Sequence, residues 1–175
     1  MSELRRFVQV DVFTSVALKG NALAVVVDGA GLSETQMADF AKWTNLSETT
    51  FLLPPTDEAA DAADYRVRIF TPGGELPFAG HPTLGSAHAF LASGGDVKKP
   101  GIVVQQCAIG LVRIKREGAR LAFAAPPLKK SGPADATTRE QVLRSLRINA
   151  DELLDLEWDL KSLEFSLTGS IGKLW

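Results

Sequence analysis

Cysteine, tyrosine and histidine are scarce in this 175-residue sequence, which has one Cys, one Tyr and two His. The lone thiol, Cys107, excludes an internal disulfide, and one Cys with two His falls short of an ordinary structural zinc site. Charge of one sign is lacking too. With a net charge of -2 and no long cluster of Lys or Arg, there is no electrostatic case for nucleic acid or an anionic membrane surface. A small molecule is the expected partner. The opening "MSELRRFVQV" has no apolar signal-peptide core, so the expectation is a cytoplasmic protein. The uncharged stretch from Leu76 to Gly95 is 20 residues long, yet it holds two Pro, two His and four Gly, and no membrane span is expected there. Asn45-Leu46-Ser47 fits a glycosylation sequon, and without a secretory signal the match is chance.

What remains is an ordinary globular composition, 45% apolar and 23% charged, long enough for one domain with a sizeable core. We expect that domain over residues 1–130 and a helix with an atypical tail over 131–175. "FVQVDVF" from Phe7 alternates as a half-buried strand does, and "ALAVVVD" from Ala22 follows a "KGN" turn. A helix is expected from Ser33 as N-cap, with Gln36 completing a capping box, Leu32 and Met37 forming a staple, and Met37, Phe40 and Ala41 on the buried face. It ends near Asn45. "TTFLL" from Thr49 and "YRVRIF" from Tyr65 read as strands, "LVRIKREGARLAFAA" as a hairpin around Glu117-Gly118, and Thr138 to Leu146 as a surface helix. Cys107, in the strand-like "VVQQCAIG", reads as a small core hydrophobe.

The segment "FAGHPTLGS", residues 78–86, opens a different kind of helix. Pro82 suits the first helical position, and the pattern runs to a stop at Gly94. No face of it is charged. A helix that is small or apolar all round is a buried one, so we expect it enclosed by antiparallel sheet, with Leu84, Ala87, Phe90 and Leu91 buried. Gly85, Ser86, Ala87 and Ala89 would let strands approach closely. The first N–H groups and the positive dipole end lie at Gly80-His81, a preformed seat for a carboxylate. The plainer alternative is that His81 merely caps the helix.

A second candidate lies in "NLSETTF", residues 45–51. At the start of a strand, Glu48 shares a face with Leu46, Thr50 and Leu52, and an apolar setting raises a carboxyl pKa toward acid/base duty. The alternative is a surface Glu at a helix–strand junction.

"VDVFT", "GNALAVV", "NLSETTF" and "RIFTPGGELPFAGHPTLGSA" stand in an order and spacing that resembles the PhzF family of phenazine-biosynthesis-like proteins, related in fold to diaminopimelate epimerase. The resemblance covers about residues 5–128. It implies an α+β fold, an antiparallel half-barrel around a central helix, and a cofactor-independent isomerase or epimerase acting on a small carboxylate-bearing substrate. It assigns Glu48 as the acid/base and His81 as its helper, with Gly80, Pro82 and Thr83 at the substrate. Neither metal nor cofactor is implied. Family members resemble two similar halves, and the second half's acidic-Pro-x-Thr-Gly-Ser-like motif and its Asp find no counterpart in the tail "LEWDLKSLEFSLTGSIGKLW". The chain therefore reads as one half, its last 20 or so residues even as a read-through or frameshifted end. That leaves two readings: an isomerase that pairs as a homodimer, or an inactive small-molecule-binding or truncated remnant.

Overall fold

The computed structural model describes residues 4–124, 131–147, 149–150 and 157–159. They fall into two compact units that divide after Phe123.

The first unit contains strands β1 (Phe7–Val12), β2 (Asn21–Val26), β3 (Thr49–Leu53), β4 (Tyr65–Thr71), β5 (Gly74–Leu76), β6 (Ile102–Cys107), β7 (Gly110–Glu117) and β8 (Arg120–Phe123). Helix α1 (Glu34–Thr44) lies between β2 and β3, and helix α2 (Gly80–Ala92) between β5 and β6. All eight strands form one curled sheet in the order β1-β2-β3-β4-β6-β7-β8, with β5 on β4. This is the expected α+β half-barrel around a helix. Most pairings are antiparallel, but β2 with β3 and β4 with β6 are parallel. The reason is topological: each pair is joined through a helix, and a crossover of that length returns the chain in the same direction.

Alternation on the strands explains why two helices can use one sheet. Val10, Val12, Leu23, Val25, Leu52, Tyr65, Val67, Ile69, Val103 and Ile114 form the main core with Leu84, Ala87 and Ala89 of α2. The opposite register positions Val26, Phe51 and Phe70 pack instead with Met37 and Ala41 of α1. Thus β3 is buried on both faces between the two helices.

Helix α1 begins as its sequence dictates. Ser33 Oγ accepts from the Gln36 N–H at 3.2 Å, and the Gln36 side chain accepts from the Ser33 N–H at 2.8 Å. It ends at Asn45, in the left-handed region with φ 54°. Met37 and Ala41 are buried, while Phe40 is half-buried, its ring meeting Phe51 and Trp43.

Helix α2 departs from expectation at its start. It begins at Gly80, two residues before Pro82, because the ring fits the third helical position as well as the first: neither N–H has an intrahelical acceptor. Residues His81 to Ala87 are all buried, but Phe90 and Leu91 are only half-buried, since the helix emerges from the sheet in its last turn. At the stop, Gly94 takes φ +85°, with Gly95 N–H donating to Phe90 O and Gly94 N–H to Leu91 O. A Cβ on Gly85 would stand 2.5 Å from Leu23 Cδ2 and 3.0 Å from Val12 Cγ2. Hydrogen at that position is what lets the helix touch β1 and β2.

The β7–β8 turn falls on Gly118-Ala119, one residue later than expected, because Glu117 pairs with Arg120 and Gly118 supplies the positive φ of +61°. The second unit contains β9 (Ser131–Pro133), helix α3 (Ala136–Leu146) and β10 (Glu157–Asp159), with β9 and β10 antiparallel. Helix α3 starts two residues before Thr138, where Asp135 caps it by accepting from the Thr138 N–H at 2.8 Å. None of its residues is buried. Apart from residues 157–159, the atypical tail lies outside the described residues.

Candidate active site

Two segments far apart in sequence meet at Glu48 and His81. Glu48 precedes β3 by one residue, and its position falls in the same alternation as Thr50 and Leu52, facing α2. The two threonines that follow it are held by their hydroxyls. Thr49 Oγ1 meets Thr44 Oγ1 at 2.9 Å, while Thr50 Oγ1 accepts from Ser86 Oγ at 2.9 Å and donates to Ala24 O at 3.4 Å. These bonds tie the Glu48 strand to both helices and to β2. His81 sits in the first turn of α2, 8% exposed, and Glu48 is 16% exposed.

His81 Nε2 and Glu48 Oε2 lie 3.3 Å apart. Both atoms are buried, and neither makes an aligned hydrogen bond among the described residues. The contact is not an ion pair at neutral pH. Burial pushes the His81 imidazole down to about 4, against the smaller upward pull of the Ala22 backbone, so the ring is neutral. Burial also raises the Glu48 carboxyl above its ordinary value. A part-buried carboxyl with a raised pKa beside a neutral imidazole is chemically able to take a proton and give it back.

A residue that sequence reading did not single out reaches the ring. The Asn21 side-chain nitrogen lies 3.2 Å from His81 Nδ1. In the tautomer in which the amide donates to Nδ1, Nε2, the nitrogen nearer Glu48, carries the ring proton. Asn21 is 60 positions from His81, and only its place at the start of β2, beside the helix, could have pointed to it.

The start of α2 carries no side-chain cap. Ala79, the N-cap, has no side chain that can cap, no acidic residue stands in the first turn, and Pro82 carries no N–H. The first helical bond is from the Thr83 N–H to Ala79 O at 3.2 Å. The N–H groups of Gly80 and His81 therefore have no acceptor among the described residues. The remaining expected contacts divide. Gly80 presents a donor, whereas Pro82 and Thr83 are buried, and the Thr83 hydroxyl and amide are both engaged inside the fold. Cys107 lies in the main core on β6, its thiol donating to Gly110 O at 3.6 Å. No group of three or more His, Cys, Asp or Glu among the described residues could hold a metal ion. No helix among them is long and apolar enough to cross a membrane.

A curled sheet around a buried helix is the fold of solved PhzF-family and epimerase structures. The solved structure of a predicted epimerase from Pseudomonas aeruginosa matches 86% of this chain and 53% of its own, at 32% identity and a TM-score of 0.68. The chain belongs to the PhzC-PhzF family, described as phenazine biosynthesis-like protein, which it matches over residues 10–158. That match runs 30 residues past the point, near residue 128, where the motifs alone stop being recognisable. Trans-2,3-dihydro-3-hydroxyanthranilate isomerase from Pseudomonas chlororaphis is 49% identical over 86 residues, 49% of this chain and 30% of that protein. Antisense-enhancing sequence 1 from Schizosaccharomyces pombe is 50% identical over 112 residues, 64% of this chain and 37% of that protein. The chain spans about a third of the length of these curated relatives.

Proposed function

We propose that the Glu48–His81 pair moves a proton on a small carboxylate-bearing substrate, making this chain a cofactor-independent isomerase of the PhzF type. The observation that carries this reading is the meeting of a part-buried carboxyl and a neutral imidazole at 3.3 Å, the imidazole lying in the first turn of a helix whose Gly80 and His81 amides have no acceptor among the described residues. The isomerase named among the relatives supports it. In this reading the Gly80 and His81 N–H groups hold the substrate carboxylate, helped by the helix dipole. Glu48 as carboxylate removes a proton from carbon, becomes the neutral acid that its dry setting favours, and returns the proton at a second carbon on the same face. The His81 Nε2–H donates toward the negative charge that develops between those steps. Pro82 and Thr83 shape the helix start rather than touch substrate.

One carboxyl serves a shift along one face of the substrate. Epimerisation needs a second acid/base group across it, which a symmetric homodimer with facing sites would supply as the Glu48 of a second copy. The exposed loop after β1 supports such pairing, with Phe13 41%, Val16 60% and Leu18 78% exposed, and the Phe13 ring 6.3 Å from that of His81. Light scattering showing only monomer at micromolar concentration would remove the dimer.

Incubation with candidate cyclic carboxylates and α-amino acids in heavy water, read by mass spectrometry, tests the chemistry. Wild type should label a substrate carbon, and Glu48→Gln should slow labelling by about 10²–10⁴-fold while binding persists. Labelling by Glu48→Gln at the wild-type rate would take Glu48 out of the mechanism. Carboxylate binding without labelling by the wild type would favour the inactive binding protein.

A further inference from the structure

A buried polar chain that the proposed chemistry does not use ends on the peptide group that presents the Gly80 amide. Tyr65 on β4 is 2% exposed, and Gln105 on β6 and Thr83 on α2 are each 0% exposed. Tyr65 and Gln105 are register partners in the parallel β4–β6 pair. The Tyr65 hydroxyl lies 2.9 Å from Gln105 Oε1, Gln105 Nε2 lies 3.2 Å from Thr83 Oγ1, and Thr83 Oγ1 lies 2.9 Å from Ala79 O.

The direction of every bond is fixed from one end. A carbonyl can only accept, so the Thr83 hydroxyl donates to Ala79 O. The Thr83 oxygen must then accept, so Gln105 turns its amide nitrogen to it and its amide oxygen to Tyr65, whose hydroxyl donates. Burial, with smaller contributions from Cys107 and Asp64, pushes the Tyr65 phenol well up, which keeps it a donor. Three bonds in one direction polarise one another, and each strengthens the next by roughly 10–30%.

We propose that Tyr65, Gln105 and Thr83 are positioning residues that aim and polarise the Gly80 N–H. This rests on the reading of that amide as a carboxylate donor. Ala79 O and Gly80 N–H belong to one planar trans peptide, in which carbonyl and N–H point in opposite directions. Ala79 O is held from the helix side by both the Thr83 N–H and the Thr83 hydroxyl. The Gly80 N–H is thereby turned outward, away from the helix. Electron density drawn to the carbonyl oxygen leaves the N–H a stronger donor. A valine at position 83 would fill the same space and could not make the bond. The same segment is anchored a second time, one turn on, where Ser86 bonds Thr50 beside Glu48. Both halves of the candidate pair are thus set by buried hydroxyls rather than by surface loops.

The test uses amide proton shifts and benzoate binding in the full chain, comparing Thr83→Val, Thr83→Ser and Tyr65→Phe. The Gly80 amide proton should move upfield in Thr83→Val, by a smaller step in Tyr65→Phe, and return in Thr83→Ser, while the amides of Leu84 to Leu91 hold still. Benzoate binding should weaken about five- to tenfold in Thr83→Val and recover in Thr83→Ser. An unmoved Gly80 proton in both Thr83→Val and Tyr65→Phe would overturn the proposal, as would shifts spread evenly along α2, which a merely structural role produces. Absence of benzoate binding by the wild type would count against the carboxylate seat itself, and the Gly80 shift would still decide the positioning chain.

Discussion

Helices α1 and α2 are both crossovers between parallel strands, yet one closes its own N-terminus and the other leaves it open. In α1, Ser33 and Gln36 satisfy each other's backbone donors, Glu34 stands in the first turn, and one face is left to water. In α2 the N-cap is Ala79, the first turn has no acid, and the third position is proline, so a reciprocal capping box cannot form there. The first helix is stabilised at its end by local chemistry. The second is held almost wholly by the sheet around it, and its first turn carries His81, which makes the only carboxyl–imidazole contact among the described residues. A helix start with no acceptor among the described residues, inside a well-packed unit, marks where packing has replaced capping.

The contrast in packing should give the largest effect. Leu84 is 0% exposed within the curled sheet, whereas Trp43 on α1 is 79% exposed. Leu84→Ala should cost about 2–5 kcal/mol in denaturant unfolding, because the enclosed site cannot collapse freely. Trp43→Ala should stay within about 0.5 kcal/mol. Equal costs would mean that α2 is not sheathed.

The pH response comes next in size and centres on α2. His81 has a folded pKa of about 4, below an unfolded value of about 6.5. The unfolded chain therefore takes up the proton first. The group adds no penalty above pH 6.5; stability falls as pH drops from there toward 4, and the penalty is complete below that. The expected loss is on the order of 2–3 kcal/mol. Glu48 acts in the opposite sense, since burial raises its pKa and disfavours its ionised form at higher pH. His81→Asn should reduce the slope between pH 6.5 and 4, leaving the part contributed by His88, whose imidazole pKa burial also lowers. An unchanged slope in that variant would show that His81 is not buried neutral.

How far the sequence reveals each helix follows from the range of the interactions that fix it. The α1 start and stop are legible because Ser33, Gln36 and Asn45 act within one turn of the elements they end. The uncharged face of α2 announces a buried helix, and Gly94 announces its end. Its first residue is less legible, since proline is tolerated anywhere in the first turn. The face of Glu48 follows from strand alternation with Thr50 and Leu52. The contacts of Asn21 with His81 and of Gln105 with Thr83 span 60 and 22 positions. No local pattern encodes them; they exist only once the sheet has curled. The parallel pairings are hidden for the same reason, because strand direction depends on where each crossover helix packs.

The smallest effect is also the sharpest test of the contrast, because it should move stability and function in opposite directions. Ser33→Ala removes a cap that serves only the helix, and should cost about 1 kcal/mol with no change in isotope exchange. Ala79→Ser introduces one at a residue whose backbone, φ -152° and ψ 144°, already has the extended form of an N-cap. With Pro82 at the third position, the new hydroxyl has only the His81 N–H as its usual partner. Satisfying that donor should raise stability by about 0.5–1 kcal/mol. It should also weaken benzoate binding and slow exchange, since the same donor then has a resident acceptor. Urea unfolding and heavy-water labelling on the two variants would decide it. If Ala79→Ser gains stability and keeps full binding, the open end of α2 is a capping defect rather than a seat for an anion. If it loses binding as it gains stability, the missing cap is part of the site.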